Sequence, residues 1–216
     1  MIAAILPPGV VAEYALDDPP GPPLYAEEEA VIRRAVDKRR REFGTVRRCA
    51  RTALARLGVP PAPLLPDRRG AIRWPSGVLG SMTHCAGYRA AAVASTSMFA
   101  AIGIDAEPHE ALPDGVFAQI ARPAERAWIA RHAHTGARPV VHWDRLLFST
   151  KESVFKAWYP ATRRELGFDQ AEVSFDEHGG FEARLLVPGP VAGYRGRWLA
   201  RDGLVLTAIA VPAAEA

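Results

Sequence analysis

Ala101-Ile102-Gly103-Ile104-Asp105-Ala106-Glu107-Pro108 is the stretch on which the reading of this chain turns. Ile102 and Ile104 alternate with small residues, which predicts a strand with one apolar face. Asp105 and Glu107, two residues apart, then point together to the other face. Pro108 cannot donate to a sheet ladder and ends the strand. A second stretch, Leu147-Phe148-Ser149-Thr150-Lys151-Glu152-Ser153-Val154-Phe155-Lys156-Ala157-Trp158, predicts a helix with Glu152 and Lys156 on one face. Three carboxylates brought together repel one another unless a cation sits between them, and all-oxygen ligation favours a hard ion such as Mg²⁺. Lysines beside such an ion point to a phosphorylated substrate. Taken singly, Asp105 and Glu107 also read as the solvent side of a half-exposed strand. Glu152 and Lys156 also read as a surface helix pair worth about 0.3–0.5 kcal/mol. Together they supply the parts of metal-assisted phosphoryl chemistry.

The 216 residues, 49% hydrophobic and 24% charged, suffice for one substantial core or two small packed halves. No apolar run approaches the length of a bilayer span. The opening Met1-Ile2-Ala3-Ala4-Ile5-Leu6-Pro7-Pro8 has no basic n-region, and its apolar run is short for a signal peptide. The expectation is a cytoplasmic protein with no membrane partner and with Cys49 and Cys85 reduced. Net charge is +3. Ten basic residues lie between Arg33 and Arg56, among them Arg39, Arg40, Arg47, Arg48 and Arg51, and within that window only Asp37 and Glu42 oppose them. Such a cluster reads as solvated helices, as a nucleic-acid surface or as a pocket for a polyphosphate ligand. Phe43 is its one aromatic residue, which offers little for base stacking.

Residues 7–23, rich in proline and glycine, predict extended chain or loop. Glu27-Glu28-Glu29 starts a helix and Lys38 to Arg41 lies near its end, in the order that suits the helix dipole, with a break at Gly44. A second helix, Val46 to Leu57, buries Val46, Cys49, Ala50, Ala53, Leu54 and Leu57. Residues 78–84, 89–95 and 99–107 predict a small, largely antiparallel sheet. Helices follow at 124–133 and 142–159, the latter with a stripe of Trp143, Leu147, Thr150, Val154 and Trp158 and a stop at Pro160. Strands at 172–175, 181–187, 194–199 and 204–211 complete the chain. Helices then strands, twice over, predict an α+β protein of two similar halves, 1–105 and 106–216. His132-x-His134 reads as helical, where a spacing of two puts the rings on different faces, and without further ligands it gives little support to a zinc site. No Walker loop, dinucleotide fingerprint or nucleophile elbow is present.

Three blocks carry a family resemblance: Trp74-Pro75 through Gly80-Ser81-Met82-Thr83-His84-Cys85, then Gly103 to Pro108, then Phe148 to Lys156. With the helix Lys38-Arg39-Arg40-Arg41-Glu42-Phe43 and Arg47, they make the chain resemble the Sfp-like 4′-phosphopantetheinyl transferases, in the branch that includes the enterobactin-synthesis and actinobacterial enzymes. The resemblance implies transfer of the phosphopantetheine arm of coenzyme A to a serine of an apo carrier protein of fatty-acid, polyketide or nonribosomal-peptide synthesis. The other product is adenosine 3′,5′-bisphosphate. It further implies that Asp105, Glu107 and Glu152 hold Mg²⁺, with Mn²⁺ as a substitute, and that Arg39 and Arg47 grip the 3′-phosphate. Arg69 is a nucleotide contact on the same reading, and Thr83 and His84 touch phosphates. Lys151 and Lys156 neutralise the pyrophosphate and steady the leaving group, and Glu152 acts as general base, directly or through water. Ala106, where some relatives carry a bulkier or polar residue, offers only its backbone, so water completes the metal shell. The resemblance implies two halves related by a pseudo-twofold with the active site between them, so one chain builds the site alone and a monomer is expected. Leu112–Phe117, after the metal strand, is expected to expose apolar side chains to the carrier. The competing readings are a metal-dependent nucleotide phosphohydrolase and a basic nucleic-acid-binding module.

Overall fold

Val46, Cys49, Ala50, Ala53 and Leu54 form the buried face of a 20-residue helix in the computed structural model, which describes residues 1–132, 141–176 and 178–213. Helix α1 spans Ala26–Ile32 and helix α2 spans Asp37–Arg56, so the break expected at Gly44 falls at residues 33–36. Gly44 lies within α2 with no atom within 4 Å of where a Cβ would stand. It costs the helix only about 1 kcal/mol of propensity, which packing of the flanking stripe outweighs. The end of α2 follows expectation, with Leu57 as C-cap and Gly58 in the left-handed region at φ +74°.

Strands β1 (Val11–Ala15), β2 (Val78–Cys85) and β3 (Tyr88–Ser95) form an antiparallel sheet in the order β1-β3-β2. β1 lies inside the stretch expected to be loop; its partner strand is far along the chain (Val11 opposite Val93, Ala15 opposite Arg89), so composition alone does not reveal it. β3 is buried on both faces. Ala91 and Val93 pack with the α2 stripe, whereas Tyr88, Ala90, Ala92 and Ala94 pack with Ile102, Ile104 and Leu206 of a second sheet. The run of alanines lets both layers approach.

That second sheet holds β4 (Phe99–Pro108), β5 (Ala171–Phe175), β6 (Gly180–Leu185), β7 (Gly193–Arg201) and β8 (Leu204–Pro212), antiparallel throughout, in the order β4-β8-β7-β6-β5. β4, expected to share a ladder with β2 and β3, pairs with β8 instead, and the boundary expected at 105/106 falls inside it. β2 and β4 still meet, joined by side chains. Ser81 Oγ accepts from the Ile104 N–H and Thr83 Oγ1 from the Ala106 N–H, both at 3.1 Å, which satisfies donors on the outer edge of β4.

Helices α3 (Val116–Ile120), α4 (Pro123–His132) and α5 (Trp143–Thr162) connect β4 to β5. Leu112, Val116 and Phe117, expected to be exposed, are half-buried against the core under α5. His134 and the helix end expected at Ala133 lie outside the described residues. α5 runs through Pro160, and the Arg163 N–H closes the last turn on the Tyr159 carbonyl at 2.8 Å. Pro160 removes one helical hydrogen bond near an end where carbonyls are already losing partners. Leu147, Thr150, Val154 and Trp158 are buried as the stripe predicts, with Trp143 partly so. α5 lies on β4 and β8. At Gly103 a Cβ would stand 2.0 Å from the Ser153 carbonyl oxygen, so glycine alone admits this approach. No helix among the described residues is long and apolar enough to cross a membrane.

Lys151 does not face the region between the sheets. Its ammonium is buried and donates to Glu125 Oε2, Ile120 O and Phe168 O, each at 2.8 Å. Glu125 also accepts the N–H groups of Arg122 and Val173, so this pair ties α5 to α4 and β5. The expected role of Lys151 at a pyrophosphate is corrected to a structural one, because all three of its protons are engaged. Replacing Lys151 with Ala leaves Glu125 buried and unpaired; urea melts are expected to show a loss of about 3–5 kcal/mol. Gly103→Ala pushes α5 off β4, and the same melts are expected to show a loss of about 1–3 kcal/mol.

Candidate active site

A cleft of about 760 Å³ opens where the two sheets meet. Arg39 and Arg47 enter it from α2, Thr83 and His84 from β2, Asp105 and Glu107 from β4, Glu152 and Lys156 from α5, and Arg69 from the turn after Pro66. The structure thus brings together every expected site residue except Lys151.

Asp105 is the most constrained of them. It is buried, and its Oδ1 accepts from Thr83 Oγ1 at 3.1 Å and from Lys156 Nζ at 2.7 Å. Its Oδ2 is buried with no partner. Lys156 also donates to the Ile104 carbonyl at 3.2 Å. Its amine, expected on a pyrophosphate, and the Thr83 hydroxyl, expected on a phosphate, are here engaged in holding Asp105. Glu107 Oε2 accepts from Arg145, a residue that the sequence reading passed over. Burial pushes the Glu107 carboxyl above its ordinary pKa, and the Asp105 charge adds to this while Arg145 opposes it. Burial also raises Glu152; Lys156 opposes and Asp105 reinforces the shift.

The cationic wall is built differently. The Arg47 guanidinium lies 3.1 Å from the centroid of the Phe43 ring, and its Nε donates to the Leu64 carbonyl at 3.0 Å. Burial lowers its pKa to about 10. Arg39 donates to His84 Nε2. Burial and then the Arg39 charge pull His84 below its ordinary pKa, which favours a neutral ring that accepts at Nε2. Arg69 sits exposed at the rim and pairs with Glu165.

The remaining arginines of the 33–56 window are largely paired from outside it. Glu28, fully buried, accepts from Arg51, from the Leu64 N–H and from the Tyr25 N–H. Arg40 pairs with Glu29 and Arg56 with Glu13, and Arg48 donates to the Pro19 carbonyl. A charge tally along the window misses these partners because the fold supplies them. The cleft also has an aromatic lining: Phe148, Phe155 and Tyr159. With Glu152 they recur at spacings of four, three and four, a helical face that was open to inspection in the sequence.

Hard-cation chemistry fits this donor set. Asp105 Oδ2 is a buried acceptor without a partner, and two neighbouring glutamates are raised by burial and by the Asp105 charge. Among the described residues no three His, Cys, Asp or Glu side chains are grouped to hold an ion unaided, so the expected three-carboxylate cage is not preformed. Mg²⁺ is commonly held by one or two carboxylates with substrate phosphates and water completing its shell, so the two observations are compatible.

Comparison with known proteins agrees with this geometry. Residues 27–94 match the family described as 4′-phosphopantetheinyl transferase N-terminal domain, and residues 101–209 match the 4′-phosphopantetheinyl transferase superfamily. The chain is 60% identical to the 4′-phosphopantetheinyl transferase Svp of Streptomyces mobaraensis, over 99% of this chain and 90% of that protein. It is 46% identical to PptT of Mycobacterium tuberculosis, over 97% of each chain, and 46% identical to Npt of Nocardia iowensis, over 97% of this chain and 99% of that protein. Family matches over residues 27–94 and 101–209, with near-full-length identity to three transferases, make this chain a member of the 4′-phosphopantetheinyl transferase superfamily.

Proposed function

We propose that this enzyme moves the 4′-phosphopantetheine arm of coenzyme A onto a serine of an apo carrier protein and releases adenosine 3′,5′-bisphosphate. The carriers are those of fatty-acid, polyketide or nonribosomal-peptide synthesis. The observation that carries the reading is the unpartnered, buried Asp105 Oδ2 in a cleft whose other wall presents Arg39 and Arg47. One end suits a pyrophosphate and the other a further phosphate. In the reaction the serine Oγ bonds to the phosphorus that carries the arm, and the bond from that phosphorus to the bridging oxygen breaks. Glu152 accepts the serine proton, directly or through a water. Thr83 and Lys156 hold Asp105 in place, and Arg39 and Arg47 receive the 3′-phosphate. Asp105, Glu107 and Glu152 would hold Mg²⁺ or Mn²⁺, which supplies positive charge to the phosphate oxygens as the leaving group departs. A single chain supplies every wall of the cleft, which supports a monomer. Free Cys49 and Cys85 are in keeping with the cytoplasm.

Intact-mass spectrometry of apo carrier proteins incubated with coenzyme A, Mg²⁺ and the enzyme tests this directly. The expected result is the gain of one phosphopantetheine arm. Glu152→Ala is expected to slow the gain by roughly 10²–10⁴-fold, and EDTA to stop it. Hydrolysis of the nucleotide without any mass gain would favour a phosphohydrolase, and nucleic-acid binding that survives Glu152→Ala would favour the basic module.

The raised carboxyls set a second test. Their neutral forms contribute stability that is complete below the ordinary glutamate value of 4.5 and is lost as pH rises through the higher folded values. A cation binds only the ionised forms. The rise in Tm on adding Mg²⁺ is therefore expected to be near zero around pH 4.5 and to grow toward neutrality, by calorimetry without carrier or coenzyme A. A Mg²⁺ effect independent of pH would remove these carboxylates from the metal site.

A further inference from the structure

Arg145 lies in the first turn of α5, buried, behind the cleft rather than in its lining. Its guanidinium reaches three separate acceptors. One nitrogen donates to Glu107 Oε2 at 2.9 Å, Nε donates to the Glu110 carbonyl at 3.0 Å, and the other terminal nitrogen donates to the Ala111 carbonyl at 2.9 Å. The Glu110 carboxylate lies 3.8 Å away. The preceding residue, Asp144, accepts from the Leu112 N–H at 2.8 Å. All of these contacts fall where sheet support ends, because the ladder between β4 and β8 stops at Pro108 opposite Leu204.

Glu107 therefore stands one residue from the end of a strand, on a side chain with three rotatable bonds. Asp105, two residues earlier, is held by Thr83 and Lys156; for Glu107 the contact that fixes the carboxylate is Arg145. The pair is nearly desolvated, at 10% and 20% side-chain exposure, so it is not a solvent-averaged surface bridge. The two backbone carbonyls anchor the guanidinium independently of Glu107. It engages one carboxylate oxygen and leaves the other without a partner from Arg145. We infer that Arg145 is a positioning residue that fixes the Glu107 carboxylate as a ligand for the divalent cation. The inference rests on the metal site of the proposed function. Lysine cannot replace it fully, because an ammonium lacks the planar fork that spans three acceptors.

Binding of Mn²⁺, followed by electron paramagnetic resonance with saturating coenzyme A and no carrier, tests this without turnover. Loss of a partner that orients a ligand commonly weakens metal binding by about 10–100-fold. Glu107→Gln and Arg145→Met are each expected to raise the Mn²⁺ Kd within that range. The double variant is expected to be no weaker than Glu107→Gln alone, because the second change acts only through the first. Arg145→Lys is expected to fall between wild type and Arg145→Met, and it carries the test should Arg145→Met fail to fold. Coenzyme A affinity in EDTA is expected to stay within about 2-fold, which a general loosening of the cleft would not allow. A wild-type Kd in the Arg145 variants alongside a weakened Glu107→Gln would overturn the positioning role, as would losses that add in the double variant. An unchanged Kd in Glu107→Gln would instead remove Glu107 from the metal site, and the inference with it.

Discussion

The Thr83 hydroxyl accepts from the Ala106 N–H and donates to Asp105 Oδ1. With Ser81 it joins β2 to β4, two strands that share no backbone ladder. The rest of the arrangement depends on this junction. It sets the height of β4 against β2, and so sets Asp105 against the cations of α2. Because Thr83 and Lys156 both donate to Oδ1, Oδ2 is the oxygen left without a partner. Gly103, on the face of β4 turned to α5, brings that helix close enough for Lys156 to complete the hold on Asp105.

Opposite charges are kept apart in the cleft by different means. On the acidic side, carboxylates are crowded and burial raises two of them. On the basic side, Arg47 is packed on Phe43 and lies 3.6 Å from the buried Glu28, while Arg51, Arg40 and Arg56 pair with Glu28, Glu29 and Glu13. Glu28 is tolerable without water because backbone N–H groups and Arg51 fill its acceptor sites. Pairing offsets part of the positive charge of α2, while Arg39 and Arg47 line the cleft.

Period-two and period-3.6 patterns made β2 to β8, the end of α2 and the buried stripe of α5 legible in the sequence. The α+β class followed from their order. What escaped reading depended on partners distant in the chain. β1 is a strand only because β3 offers it an edge, and β4 left its neighbours for β8. Gly44 and Pro160 are local breakers that tertiary packing and a nearby helix end overrode. At the site, residue identities in the two acidic and basic blocks were readable, but the direction of each side chain was not. Lys151 and Glu152 are adjacent in sequence and turn opposite ways on α5, one to Glu125 and one to the cleft. Arg145 is not legible as a site residue because it lies seven residues before Glu152, outside the Leu147–Trp158 block, and its partners come from the chain after β4 and from the end of that strand.

β4 belongs to the first half by its position in the chain and to the second by its hydrogen bonds. The two matched family regions part between residues 94 and 101, at the turn that precedes it. The halves therefore meet along a contact that includes two hydroxyl groups, each bond worth about 1 kcal/mol, and a layer in which Tyr88 and three alanines of β3 pack on Ile102, Ile104 and Leu206. A contact of that kind works as an alignment gauge. Sliding β2 along β4 by a single residue would carry Thr83 past Asp105 and turn a different face of the strand toward α2, so the acid and basic walls come into register only when the two halves are seated correctly.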